Sequence, residues 1–294
     1  MAKKIIVILG PTASGKTDIS IKLAKKFNGE VVSADSRQVY KGMDIGTGKI
    51  TKKEMQGVPH HLLNVISPKI RFNVAQYKKL AEKAIGKILK KNKVPFLVGG
   101  TGFYIQAIVD NISIPEIKPD WKLRQKLEKK PVSELYKMLK KLDPKRAAAI
   151  DKNNPRRLIR ALEIVLKTKQ PIPPLRPRKP EFKTLFLGVK RSKKELKKLI
   201  EKRLLKRLKA GMIDEVKKLH QSGISWKRLE EFGLEYRYVA QYLQGKLKYD
   251  EMVQKLQKEI EHYAKRQITW FKRNKRIKWV KNYKEAEKLV KKFI

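Results

Sequence analysis

The sequence lacks cysteine, long apolar runs and a recognisable targeting segment. Without cysteine in its 294 residues, disulfides, thiolate catalysis and thiolate-bound zinc are excluded. No uninterrupted apolar stretch approaches the roughly 18 residues of a membrane span, and the first residues show no signal-peptide pattern. These absences predict a cytoplasmic protein that does not enter a membrane.

Acidic residues are scarce, with 28 Asp and Glu against 73 Lys and Arg, which gives a formal charge of +45. Because each cation near a phosphate displaces a condensed counterion, this excess favours a polyanionic partner, above all a nucleic acid. A general preference for lysine on helix faces would give the same count and remains the alternative.

The first hundred residues alternate between strand and helix patterns, and one further strand follows much later. A strand, a Gly-rich turn and a helix in succession indicate a P-loop three-layer α/β fold with a parallel sheet. The predicted strands are "KIIVIL", "EVVSADS", "VPFLVGG" and "KTLFLGVK", and the first predicted helices span 17–27 and 72–91.

Prolines punctuate short lysine-rich helical segments after about residue 110, and the proline-rich run 168–181 predicts a stiff linker. We therefore predict a catalytic core formed by residues 1–109 and 183–294, with a helical C-terminal part. Residues 110–182 are predicted to be an inserted helical domain.

The stretch "GPTASGKT" between the first strand and helix matches a phosphate-binding loop. Its glycines let backbone N–H groups surround an anion, Lys16 reaches an outer phosphate, and the Thr17 hydroxyl is offered to Mg²⁺. The candidate phosphate-binding residues are Gly10, Pro11, Thr12, Ala13, Ser14, Gly15, Lys16 and Thr17. A later strand, "FLVGG", ends without the carboxylate typical of an NTPase, which leaves a kinase or a diphosphate-binding enzyme open.

Two polar residues follow strands whose ends share a rim with the phosphate loop in a parallel sheet. Asp35 follows the second strand, where its carboxylate could take a proton from an acceptor, or could cap a loop. Thr101 follows "VGG", where its hydroxyl could position an acceptor or cap a helix. For Arg203, the residues alone give no reason to prefer it over Arg207.

Several blocks of the sequence, in order, closely resemble tRNA dimethylallyltransferases, also called tRNA isopentenyltransferases. The resemblance implies transfer of a dimethylallyl group from dimethylallyl diphosphate to the exocyclic N6 amine of the adenine 3′-adjacent to the anticodon, with release of diphosphate. The blocks are "GPTASGKT", "SADSRQVYKGMDIGTGK", "VPHHLL", "VGGTGFYIQA", "RRLIRALEI", "GMIDEV" and "AKRQITWFKR".

The resemblance also implies roles for individual residues. Asp35 is the expected general base, Thr101 lies beside it, and Arg203 contacts the diphosphate, with Mg²⁺ at Thr17. The inserted domain would grip the anticodon stem-loop. Apart from the resemblance, a monomer is the default expectation. The implied tRNA contacts are Asp35, Ser36, Arg37, Gln38, Thr101, Arg124, Arg156, Arg157, Leu158, Ile159 and Arg160.

Three rival functions remain open. An adenylate isopentenyltransferase acting on AMP or ATP would share much of the core but would need less basic charge. A small-metabolite P-loop kinase would turn over ATP without need of a basic insertion. A catalytically silent RNA-binding protein would not need Lys16, Thr17 and Asp35 together.

Overall fold

A computed structural model describes residues 3–115, 117–173 and 179–294 and contains a six-stranded sheet in the order β3-β2-β4-β1-β5-β6. Every pairing is parallel, which confirms the predicted α/β fold with a parallel sheet. The strands are β1 (Lys4–Leu9), β2 (Gly29–Ser33), β3 (His60–His61), β4 (Val94–Gly99), β5 (Lys183–Val189) and β6 (Lys278–Val280).

Helices make up most of the rest of the described chain. Those of the first half are α1 (Lys16–Lys26), α2 (Lys52–Met55), α3 (Val74–Lys90), α4 (Gly102–Val109), α5 (Trp121–Glu128), α6 (Val132–Leu142), α7 (Pro144–Ala149) and α8 (Pro155–Thr168). Those of the second half are α9 (Lys193–Lys209), α10 (Met212–Gln221), α11 (Trp226–Phe232), α12 (Leu234–Leu243), α13 (Tyr249–Lys272) and α14 (Tyr283–Phe293).

Alternation along β1 builds a core on each face of the sheet. Ile5 and Val7 pack in the cluster that contains α3 and α4, whereas Ile6 and Ile8 pack in the cluster that contains α1 and α14. Because successive side chains of a strand point to opposite faces, an all-apolar strand needs cover on both sides. The result is the three-layer arrangement that the apolar runs predict.

The chain divides into two compact units, Met1–Asn111 with Lys179–Ile294, and Ile112–Arg178. The first unit holds the sheet and a separate helical core built from α9 to α13. The second unit has its own apolar core from α5 to α8. We call the second unit the helical unit. Part of the predicted proline-rich linker, residues 174–178, lies outside the described residues.

Two short strands were missed by the sequence analysis, β3 and β6, both at the edges of the sheet. The predicted strand "EVVSADS" ends at Ser33, so that Asp35 lies in the segment after β2. Among the helices of the described residues, none is long and apolar enough to cross a membrane.

Candidate active site

The phosphate loop, residues 10–17, joins the end of β1 to the start of α1. Two of its residues have left-handed backbone, Gly15 at φ 86° and Ala13 at φ 61°. Gly15 is the N-cap of α1, and no side chain of the described residues caps the helix there. The first-turn amides of α1 are therefore left for an anion, which the helix dipole also favours.

Two cations lie against this loop without an ion-pair partner among the described residues. Lys16 Nζ donates to Pro11 O at 3.2 Å, and Arg203 Nη1 donates to Thr12 Oγ1 at 3.4 Å. Burial and the charge of Arg203 lower the pKa of Lys16 to about 8. Burial and the charge of Arg207 lower the pKa of Arg203 to about 10. Because burial and neighbouring positive charge disfavour the charged forms of Lys16 and Arg203, a bound anion would stabilise them.

Thr101 joins the end of β4 to the segment after β2. Its Oγ1 accepts a hydrogen bond from Ser36 N–H at 3.0 Å, and its own N–H donates to Ala34 O at 3.1 Å. Thr101 occupies the N-cap position of α4 but makes no side-chain capping bond there. The capping alternative is therefore wrong, and the hydroxyl belongs to the rim that carries Asp35.

Asp35 both orders its own loop and keeps an oxygen for other contacts. Its Oδ1 accepts from Arg37 N–H at 2.8 Å and Gln38 N–H at 3.4 Å, whereas no described donor contacts Oδ2. The charge of Asp35 also raises the pKa values of Lys16 and Arg203, against the larger effect of burial. The carboxylate therefore lies within electrostatic range of both cations.

The structure distinguishes the two arginines that the sequence left equal. Arg207 Nη1 donates to Glu235 Oε1 at 2.7 Å and to Gly46 O at 3.0 Å, so this guanidinium is already engaged. Arg203, one helical turn earlier, points to the phosphate loop instead. The assignment of Arg203 as the anion-binding residue is consistent with this geometry.

Two further polar residues that shape this region, Glu215 and Arg191, are not predicted from the sequence. The Glu215 carboxylate holds the loop at residues 44–46, because it accepts hydrogen bonds from three consecutive backbone N–H groups. These are the N–H groups of Asp44, Ile45 and Gly46, at 2.8, 2.6 and 3.0 Å. The same carboxylate accepts from Tyr236 Oη at 2.7 Å. Arg191 Nε donates to Ser14 O at 3.1 Å and so contacts the phosphate loop directly. Glu215 lies in the quoted block "GMIDEV", but nothing in the sequence reveals which amides it binds.

Two of the predicted tRNA-contacting arginines bind a buried carboxylate of the helical unit. Arg124 Nε and Nη2 donate to Glu163 at 2.9 and 2.7 Å, and Arg160 donates to the same carboxylate. Burial alone would raise the pKa of Glu163, but hydrogen bonds from Arg124, the Asp120 N–H and Arg160 hold it below its ordinary value. This cluster therefore holds helix α5 against helix α8.

The predicted contact segment 156–160 forms the first turns of α8. Leu158 and Ile159 are 0% and 6% exposed, respectively, because they pack in the core of the helical unit. Because both side chains are buried, they are not available for contact with tRNA. Of the predicted tRNA contacts in this segment, only the arginines remain. Arg156 and Arg157 are exposed at the start of the helix.

The described side chains supply few ligands for a metal of their own. Among them, no group of three or more His, Asp or Glu side chains is placed to hold an ion. Thr17 is exposed in the first turn of α1. A hydroxyl at this position suits Mg²⁺ that is held mainly by phosphate oxygens and water, as is usual for this ion.

The fold and the site define a P-loop α/β enzyme in which a carboxylate follows another strand of the same parallel sheet. A family model described as IPP transferase matches residues 38–274. Since that match covers more than half of the chain, the protein belongs to the IPP transferase family. The match begins after the phosphate loop and Asp35, which are covered by full-length relatives.

Those relatives are similar along nearly their whole length. The tRNA dimethylallyltransferase 1 of Syntrophus aciditrophicus is 45% identical over 94% of this chain and 92% of its own. The tRNA dimethylallyltransferase of Carboxydothermus hydrogenoformans is 41% identical over 100% of this chain and 97% of its own.

Solved structures agree with the sequence relatives. The tRNA isopentenylpyrophosphate transferase of Bacillus halodurans superposes with a TM-score of 0.74 at 38% identity, covering 99% of this chain and 95% of that one. A eukaryotic dimethylallyltransferase acting on tRNA gives a TM-score of 0.78 at 31% identity, covering 92% of this chain and 70% of that one.

Proposed function

We propose that this protein transfers the dimethylallyl group of dimethylallyl diphosphate to the N6 amine of the adenine 3′-adjacent to the anticodon in tRNA, releasing diphosphate. The observation that carries the proposal is the arrangement of the site. Two cations without an ion-pair partner among the described residues lie at the phosphate loop, and Asp35, with one oxygen that no described donor contacts, lies on the same rim. The relatives named as tRNA dimethylallyltransferases support it.

The phosphate loop would hold the diphosphate of the donor. Lys16 and Arg203, together with the first-turn amides of α1, stabilise the negative charge that grows as the bond between C1 and oxygen breaks. Ser14 supports this role, because its buried Oγ has no hydrogen-bond partner among the described residues. An oxyanion in the loop would satisfy it.

Mg²⁺ would be held by Thr17 and by oxygens of the bound diphosphate. Bound there, the ion would neutralise charge on the leaving group. Lys16 and Arg203 would do the same from the protein side, so the leaving group would be surrounded by positive charge before the bond breaks.

Asp35 would act as the general base. As the N6 lone pair forms a bond to C1 of the donor, the nitrogen gains a positive charge and must lose a proton. Asp35 Oδ2, which no described donor contacts, is the acceptor for that proton, while Oδ1 keeps its hydrogen bond from Arg37 N–H. Thr101 Oγ1 already accepts from Ser36 N–H, so its hydroxyl hydrogen remains to orient the adenine.

The tRNA would be bound through its anticodon stem-loop by residues 35–38 and by the helical unit. Arg156 and Arg157 are exposed at the start of α8, and both can contact phosphates. Because the target amine lies within a stacked loop, the adenine must be turned out to reach Asp35. The protein would act as a monomer in the cytoplasm.

The decisive experiment offers two acceptors to the protein with dimethylallyl diphosphate and Mg²⁺. With unmodified tRNA, we expect prenylated adenine beside the anticodon, detected by mass spectrometry of the digested RNA. With AMP, we expect no product. A product on AMP alone would favour the adenylate isopentenyltransferase, and no product on either acceptor would contradict the proposal.

The affinity for tRNA should fall steeply with salt, because the contacts are made by Lys and Arg on phosphates. A logarithmic slope of about −0.7 to −0.9 per phosphate contact is expected. A flat dependence would show that most of the +45 charge takes no part in binding.

A further inference from the structure

Gln267 in α13 joins the two sides of the site through one amide group. Its Oε1 accepts a hydrogen bond from Thr12 N–H at 2.8 Å, and its Nε2 donates to Gly100 O at 2.9 Å. Thr12 belongs to the phosphate loop, and Gly100 directly precedes Thr101. The side chain is only 6% exposed, so water does not compete for these bonds.

The helix that carries Gln267 packs closely on this strand end. A Cβ atom at Gly100 would lie 2.3 Å from Gln267 Nε2, and one at Gly102 would lie 2.2 Å from Trp270 Cδ1. A side chain at either place would therefore force Gln267 or Trp270 to shift. With Trp270 fixing one turn of α13 against the start of α4, the Gln267 amide has little freedom to shift.

We propose that Gln267 is a positioning residue that sets the distance between the phosphate loop and the Asp35–Thr101 pair. The inference rests on the proposed function, in which the loop holds the donor and the pair faces the acceptor. Transfer requires C1 and N6 to approach within about 3–3.5 Å, and a misplacement of 1 Å can lower the rate about 100-fold. A residue that links both sides acts on this distance without contacting either substrate.

The first test removes both hydrogen bonds with Gln267→Leu. We expect kcat to fall about 30- to 100-fold, while the Kd values for inorganic diphosphate with Mg²⁺ and for tRNA stay close to wild type. Gln257→Leu is the matched control, because Gln257 lies on the same helix and, among the described residues, its amide donates only to Glu261, at 3.3 Å. The control should leave kcat unchanged.

The second test uses the proton pattern of the amide. In Gln267→Glu, the protonated carboxyl can donate to Gly100 O and accept from Thr12 N–H, as the amide does, whereas the carboxylate cannot donate. The kcat of this variant relative to wild type should therefore rise as the pH is lowered. Thermal unfolding of each variant separates this effect from a loss of folded protein.

A third readout needs no turnover. In the wild type, saturating inorganic diphosphate with Mg²⁺ should slow amide hydrogen exchange in residues 34–38 and 99–103. The reason is that Gln267 links the phosphate loop to the end of β4, so that ordering of the loop also orders these residues. In Gln267→Leu, this protection should be lost while diphosphate still binds. Equal protection in both proteins would overturn the inference.

Other outcomes separate this inference from the proposed function. A wild-type kcat in Gln267→Leu, or a loss explained wholly by diphosphate affinity or by unfolding, would overturn the positioning role. A wild-type protein that binds diphosphate but prenylates no adenine would contradict the proposed function instead, and the exchange experiment would still decide the role of Gln267.

Discussion

Partly buried cations have opposite surroundings in the two units of this protein. In the helical unit, Arg124 and Arg160 share the fully buried carboxylate of Glu163. At the phosphate loop, Lys16 and Arg203 have no such partner among the described residues, and burial lowers the pKa of each. Since an uncompensated buried charge is costly, the difference separates cations that hold a fold from cations that await an anion.

Arg207 shows the same contrast within a single helix. It lies one turn from Arg203 in α9, yet it is paired with Glu235 at 2.7 Å. A high count of Lys and Arg therefore does not locate a binding site by itself. The partners of each cation do, and four changes test this distinction in order of expected effect.

The largest effect should follow from Asp35→Asn, since Asp35 is the proposed general base. Its charge also raises the pKa values of Lys16 and Arg203. The amide oxygen can still accept from Arg37 N–H, but the group can no longer take a proton. We expect turnover to fall about 1,000-fold, with tRNA affinity retained. Asp18→Asn, on the exposed surface of α1, is the control, and near-normal turnover in Asp35→Asn would make Asp35 structural.

The next effect separates the two arginines of α9. Arg203→Met should weaken diphosphate binding about 30- to 100-fold, corresponding to about 2–3 kcal/mol for a hydrogen bond to a charged group. Arg207→Met should instead lower the free energy of unfolding, because it leaves the Glu235 carboxylate without its partner. Calorimetric titration with diphosphate and thermal unfolding of both variants measure these two effects. Weaker diphosphate binding in Arg207→Met, together with lower stability in Arg203→Met, would contradict the prediction.

A smaller effect is expected in the helical unit. Glu163→Ala leaves Arg124 and Arg160 without their carboxylate, and should cost about 2 kcal/mol of stability, at the low end for a buried pair because both arginines are partly solvated. Hydrogen exchange in residues 117–168 measures it. Glu134→Ala removes an exposed pair with Lys130 and should change stability little; equal losses would contradict the contrast.

The smallest effect is a pH dependence of diphosphate binding. The pKa of Lys16 is lowered to about 8, and a bound anion raises it, so the protonated form binds better. Relative to the affinity of Lys16→Arg, the wild-type affinity should be constant below about pH 8 and then fall by up to about tenfold per pH unit until the bound pKa is reached. Lys16→Arg stays charged over this range. Because the ligand titrates identically in both proteins, the ratio of their affinities reports the titration of Lys16.

Much of the fold could be predicted because its signals are local. The apolar strands β1, β4 and β5 and the amphipathic α3 carry their pattern in consecutive residues, and the phosphate loop carries its own. The edge strand β6 was missed because it has only three residues, two of them exposed, and therefore shows no apolar run. Its place depends on pairing with β5, far away in the sequence.

The site shows the same limit. Asp35 and Thr101 could be placed on one rim because each follows a strand of a parallel sheet, but the hydrogen bond from Ser36 N–H to Thr101 could not be predicted. Arg203 and Arg207 lie on one face of α9, so only the positions of Glu235 and the phosphate loop separate them. Gln267 lies within the recognised block "AKRQITWFKR", yet its two partners come from distant segments.

The central claim is that the anion at the phosphate loop is a leaving group. The most direct measurement counts inorganic diphosphate released per prenylated adenine when the protein acts on tRNA with dimethylallyl diphosphate and Mg²⁺. The account predicts one diphosphate for each modified adenine, with no requirement for ATP. Release of phosphate from ATP without prenylation of tRNA would contradict it.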